Sequence, residues 1–142
     1  MGLRYWLPLI SDARNQGLSN VVPTVVGNGI TYTAGKLGNA ATFQNDPASY
    51  IHMNGLELQT GSFCAWVKVL GEGAGYYQYI VSEGRDSGVS GTNFYVPKDG
   101  LTMTFVSHKQ IVRAPITLNK WYHVCGTFGN GTISIYIDGN LV

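Results

Sequence analysis

Turn signals interrupt this chain at intervals of roughly 8 to 12 residues, a spacing that leaves room for short strands and none for long helices. Asp46-Pro47, Lys98-Asp99-Gly100, Gly129-Asn130-Gly131 and Asp138-Gly139 are the clearest of them. Between turns the side chains alternate. Leu101, Met103 and Phe105 share one face, with Thr102 and Thr104 on the other; Ile133, Ile135 and Ile137 share one face, with Ser134 and Tyr136 on the other. A two-residue period puts one face against a core and the other toward water, as in an antiparallel sandwich. Strand signals lie in "LRYWLPL" (Leu3 to Leu9), "GITYTAG", "AATFQ", "SYIHMNG", "GSFCAWVKVL" and "YYQYIVSEG". They continue in "TNFYVPKDG", "LTMTFVSH", "QIVRAP", "KWYHVCGTF" and "TISIYIDG". Pro8 puts the first strand at an edge or near a strand end. The expectation is an all-β antiparallel β-sandwich in one domain spanning residues 1–142.

Composition narrows the function. Hydrophobic residues make up 44% and charged residues 12%, with a net charge of +1, so no strong field draws in nucleic acid or an acidic membrane. No stretch reaches membrane-spanning length, and the opening lacks a secretory cleavage pattern. No partner of either kind is expected. Cys64 and Cys125 sit inside apolar strand segments. They read first as small buried thiols, with a disulfide between neighbouring strands as the alternative. The histidines His52, His108 and His123 are too scattered for a zinc site.

Several blocks together resemble laminin-G-like, concanavalin A-like jelly rolls: "GKLGNAATFQNDPASYIHMNG", "GSFCAWVKV" and "NKWYHVCGTFGNGTISIYIDGNLV". The opening "YWLPLISDARNQGLSN" resembles the first strand and Asn-Gln-Gly turn of such domains in phage structural proteins and prophage-encoded surface proteins. The resemblance implies a jelly roll with Trp66 and Trp121 as core anchors on two different strands. Members run on for several more strands after the last hairpin, so the sandwich is expected to be incomplete at its C-terminus. The expected remedy is an oligomer, or completion by another chain or segment.

Enzymes of this fold set two or three carboxylates on alternate positions of one strand. None of the eight acidic residues here forms such a pair. Asp99 and Asp138 precede glycine and read as turn residues. Glu83 and Asp86, three apart in "SEGRDSGVSGTN", are poorly spaced for hydrolysis. Ser107-His108 reads as an exposed strand end and His123 as a hydrogen-bonded core histidine; neither makes a catalytic triad. The "GEGAG" stretch lacks the Lys-Ser/Thr and helix of a phosphate loop. Asn130-Gly131-Thr132 fits a glycosylation triplet but is more simply a hairpin turn.

Binding is what remains. Sugar sites on β-sandwiches stack pyranose faces on aromatic rings. Tyr76, Tyr77 and Tyr79, followed by Glu83, Arg85 and Asp86 and then Asn93 and Tyr95, have that chemistry. The site set is Tyr76, Tyr77, Glu83, Arg85, Asp86, Asn93 and Tyr95, and the same rings also suit core or sheet-surface packing. Calcium is allowed by the resemblance, but "RDSG" with Asn93 offers few oxygen ligands, so no cofactor is expected. The expected function is a non-catalytic recognition module for a glycan or cell-surface receptor, on a virion or cell surface. A structural assembly unit of a phage particle, docking on neighbouring subunits, is the alternative.

Overall fold

The computed structural model describes residues 3–44, 46, 48–54, 59–83 and 91–142. The described residues form strands, turns and irregular segments, with no helix among them. The chain folds as two compact units, residues 1–56 and 57–142.

The first unit holds two antiparallel pairs. Strand β1 (Thr24–Val26) pairs with β4 (Tyr50–His52), and β2 (Ile30–Ala34) pairs with β3 (Asn39–Phe43). Ser49 ties the turn between them. Its hydroxyl donates to Asp46 Oδ2 at 2.6 Å and accepts from the Gly29 amide at 2.7 Å. The strand expected over Leu3–Leu9 is not formed. That segment is instead held by an irregular pairing with residues 15–19. The Gln16, Leu18 and Ser19 amides donate to the carbonyls of Trp6, Leu3 and Arg4, while Asn15 Oδ1 accepts from the Trp6 and Gly17 amides. A side chain thus replaces one rung of the ladder, Pro8 has no amide to donate, and Leu9 turns left-handed at φ 55°. A Cβ on Gly17 would collide with the Arg4 carbonyl, so the Asn-Gln-Gly turn requires its glycine.

The second unit is a sandwich of two four-stranded antiparallel sheets. One has the order β6 (Tyr77–Ser82), β7 (Asn93–Pro97), β8 (Thr102–Ser107), β9 (Gln110–Pro115). The other has the order β12 (Asn140–Leu141), β11 (Thr132–Ile137), β10 (Trp121–Gly129), β5 (Gly61–Lys68). The hairpin turns fall at the expected places. Asp99 Oδ1 accepts from the Leu101 amide at 2.9 Å. Asn130-Gly131 and Asp138-Gly139 have φ of 51°, 76°, 51° and 84°, the left-handed pair a two-residue hairpin demands. His108 and Lys109 form a third such turn, at φ 50° and 65°.

Phe94, Val96, Met103, Phe105 and Ala114 from one sheet meet Val124, Phe128 and Ile135 from the other in a single buried cluster. The Phe105 ring lies over Gly126 of the opposite sheet, where a built Cβ would come within 2.6 Å of a ring carbon.

Period two also decides what lies outside. On β10, Tyr122, Val124, Gly126 and Phe128 are buried, which turns Trp121, His123 and Cys125 to the other face. On β5, Phe63, Ala65 and Val67 pack on the core, so Cys64, Trp66 and Lys68 face away from it. Four expectations are corrected by this parity. Trp66 is 40% exposed and Trp121 only half-buried, with the Lys68 ammonium 5.4 Å above the latter's ring. His123 is no core histidine; its ring leans on Trp66 at 5.3 Å, and its amide donates to Asp138 Oδ1. The cysteines are not buried thiols either. They are direct cross-strand partners and form a disulfide, with Cα atoms 4.1 Å apart. A crosslink spanning 61 residues stabilises such a domain by about 2–4 kcal/mol.

Two further expectations fail on β8. Ser107 is fully buried, bonded to the Thr92 hydroxyl at 3.0 Å and to His108 Nδ1 at 2.8 Å. Thr104 is buried too, while Thr102 is half-buried, so the outward face of this central strand is covered at Thr104.

Because the Phe105 ring occupies the space above Gly126, Gly126→Ala should destabilise the fold by about 1–3 kcal/mol through overpacking. Chemical denaturation checks this; an unchanged midpoint would mean that the two sheets have room to separate.

Candidate functional site

The tyrosines converge on the outer face of the β6–β9 sheet. Tyr77 and Tyr79 are two residues apart on β6 and so point the same way. Tyr95 of β7 is the cross-strand partner of Tyr79. The three ring centroids form a triangle of 4.8, 5.6 and 5.9 Å, with the rings set at steep angles to one another. Such edge-to-face packing is favourable beyond the area it buries, and it fixes the rings before any ligand arrives. Tyr77 and Tyr79 remain 51% and 54% exposed.

Of the other expected site residues, Tyr76 lies just before β6 and is 86% exposed, outside the triangle of rings. Asn93 borders the rings one register step on, its side-chain carbonyl accepting from the Ser82 hydroxyl at 2.7 Å. Glu83 follows β6, its amide donating to the Thr92 carbonyl at 2.8 Å. Arg85 and Asp86 lie outside the described residues.

Two residues of this face were not anticipated. Thr104 of β8 is the register partner of Tyr95, and Arg113 of β9 is the partner of Thr104. Tyr79, Tyr95, Thr104 and Arg113 therefore form one row across four strands. Thr104 and Arg113 each sit one step out of phase with the apolar positions of their strands, which is the signal that would have placed them. The Thr104 hydroxyl oxygen is buried and has no hydrogen-bond partner among the described residues.

Electrostatics follow from this packing. The Tyr79 phenol is pushed above the ordinary tyrosine value of 10.0, by burial first and then by the Tyr77 phenol. Tyr95 is pushed up by burial and by Tyr77 and Tyr79, against an opposing pull from the Arg113 guanidinium. Both phenols are thus neutral hydrogen-bonding groups at physiological pH.

An open groove of about 330 Å³ at the β10–β11 hairpin is lined by Thr60, Thr127, Phe128, Gly129, Asn130 and Thr132. It offers hydroxyls, one ring and no charge, and lies apart from the tyrosines, so the aromatic face is the stronger candidate. Among the described residues no three His, Cys, Asp or Glu side chains converge as a metal ion would require, and no helix is long and apolar enough to cross a membrane.

Two outcomes are expected. Since a buried hydroxyl without a partner is costly, Thr104→Val should leave the melting temperature unchanged or raise it. A clear drop would reveal a hydrogen bond at that oxygen. In ultraviolet difference titration, part of the tyrosine signal should ionise above pH 10.0 and vanish in Tyr79→Phe/Tyr95→Phe. The raised values favour the neutral forms in the folded state. That contribution is intact below the unfolded value and is lost as pH climbs through the folded ones.

Compared with family models, the chain matches the one for the concanavalin A-like lectin/glucanase superfamily, of laminin-G-like type, over residues 38–142. No curated protein and no solved structure matches it.

Proposed function

The chain belongs to the concanavalin A-like lectin/glucanase superfamily, and we propose that it is a non-catalytic recognition module that binds a glycan or host-surface ligand through the tyrosine face. The observation that carries this reading is the convergence of Tyr77, Tyr79 and Tyr95 into one exposed, mutually braced aromatic surface. Rings that are already ordered lose little entropy on binding, and each offers apolar area to a sugar ring with a phenol to orient it. The non-catalytic part draws on the carboxylates. Strands β6 to β9 contain no Asp or Glu, whereas glycoside hydrolysis takes a pair of carboxyl groups about 5 to 9.5 Å apart. Asp12, Asp46 and Asp99 each accept from an amide two residues on in a local turn, and Asp138 accepts from the His123 amide across the β10–β11 hairpin. The setting we propose is a phage virion or bacterial surface protein. The disulfide supports an oxidising, extracytoplasmic location, and the opening segment resembles phage structural domains.

A structural assembly unit is the second reading, and β5 favours it. This eight-residue strand stands at the edge of its sheet and, among the described residues, pairs with β10 alone. A regular edge of that length is a template for main-chain pairing with another subunit.

The test is a glycan array probed with the full chain, with products analysed for hydrolysis. Binding without cleavage is expected. The Tyr77→Ala/Tyr95→Ala variant should bind roughly ten- to thirty-fold more weakly at about 1 kcal/mol per ring. Release of reducing sugar would defeat the non-catalytic reading. A blank array together with a stable oligomer by light scattering would favour assembly instead.

A further inference from the structure

Arg113 is the only charged residue in the four strands β6 to β9. It is exposed and makes no ion pair among the described residues, where Arg14–Asp12 is a pair of the first unit. It ends the cross-strand row that begins at Tyr79 and Tyr95, and its guanidinium acts on the Tyr95 phenol from two strands away. The neighbouring rows of the same face hold Tyr77, Pro97, Thr102 and Pro115 on one side and Ser82, Asn93, Val106 and Ile111 on the other. None of these is charged.

We infer that the tyrosine face takes a sugar ring bearing an anionic group, a carboxylate or a sulfate, and that Arg113 is the residue that selects it. This rests on the recognition reading above and names its ligand class. Arg113 is the one cation of these four strands, and no carboxylate lies within them to compete for it, so it can attract an anion to the neutral aromatic surface. A guanidinium matches the two oxygens of a carboxylate or sulfate with paired N–H donors. The rings supply the apolar contact, and the charge supplies discrimination against a neutral sugar. The simpler role for Arg113 is to guard a sheet edge, since β9 is an outer strand and edge charges prevent pairing. That role predicts no ligand preference at all.

Affinity electrophoresis and calorimetry on the full chain separate the two, with polygalacturonate, dextran sulfate and dextran as probes. Polygalacturonate should bind more tightly than dextran and weaken as salt is added. Arg113→Gln should lower its affinity about ten- to a hundred-fold, Arg113→Lys should lower it less, and Lys68→Gln on the other sheet should leave it unchanged. Preference for dextran sulfate with the same dependence on Arg113 supports the inference with sulfate as the anion. Equal binding of dextran and polygalacturonate, indifferent to Arg113→Gln, overturns it and leaves the recognition reading standing. An equal loss from Lys68→Gln also overturns it, since the attraction would then be that of any cation for a polyanion. If none of the three probes binds, the inference fails; the recognition reading fails with it only if the glycan array is blank as well.

Discussion

The stack of Phe105 on Gly126 is the contact on which the sandwich depends. Phe105 sits in the middle of β8 and Gly126 in the middle of β10, each flanked on both sides by hydrogen-bonded neighbours. Removing every side-chain atom at Gly126 lets an aromatic ring descend close to the opposite backbone, where dispersion contacts are densest. The ring also touches Phe94 at 5.3 Å and Phe128 at 6.2 Å, so one residue links three strands and both sheets. Once that ring is seated, the inward parity of β5, β7, β8, β10 and β11 is decided, because a one-residue slip would invert every side chain.

The tyrosine face is a by-product of the same parity. With Phe94 and Val96 turned inward, Tyr95 has to point out. With Met103 and Phe105 inward, Thr104 lies beneath the outer row. Site and core are thus two readings of one alternation, and the rings are positioned by strand pairing, with no loop needed to hold them.

Much of this was legible in the residues. The hairpins at Lys98-Asp99-Gly100 and Asp138-Gly139 and the inward set Ile133, Ile135 and Ile137 were readable because turn chemistry and period two are local. The tryptophans were misplaced because the resemblance puts their strands in the core but does not fix which face of each strand points inward. Lys68, two residues after Trp66 and hence on the same face, was the evidence that this face was not the core. The disulfide needed register, a pairing between strands 61 residues apart that no local rule supplies. Arg113 was missed for a similar reason, since only the pairing of β8 with β9 places it beside Thr104 and Tyr95. The opening segment failed as a strand because Asn15 substitutes its side chain for a ladder bond, a possibility that apolar pattern does not encode.

The crosslink also changes how this sheet comes apart. An edge strand ordinarily peels from its neighbour one rung at a time, starting from whichever end frays first. Cys64 lies near the middle of the Gly61–Lys68 strand and is joined to the strand beside it. Fraying from either end therefore stops after three or four residues, and β5 cannot be drawn away from β10 while the bond is intact. Under a pull or a thermal fluctuation the β5 side of this sheet therefore opens only together with the core that β10 carries.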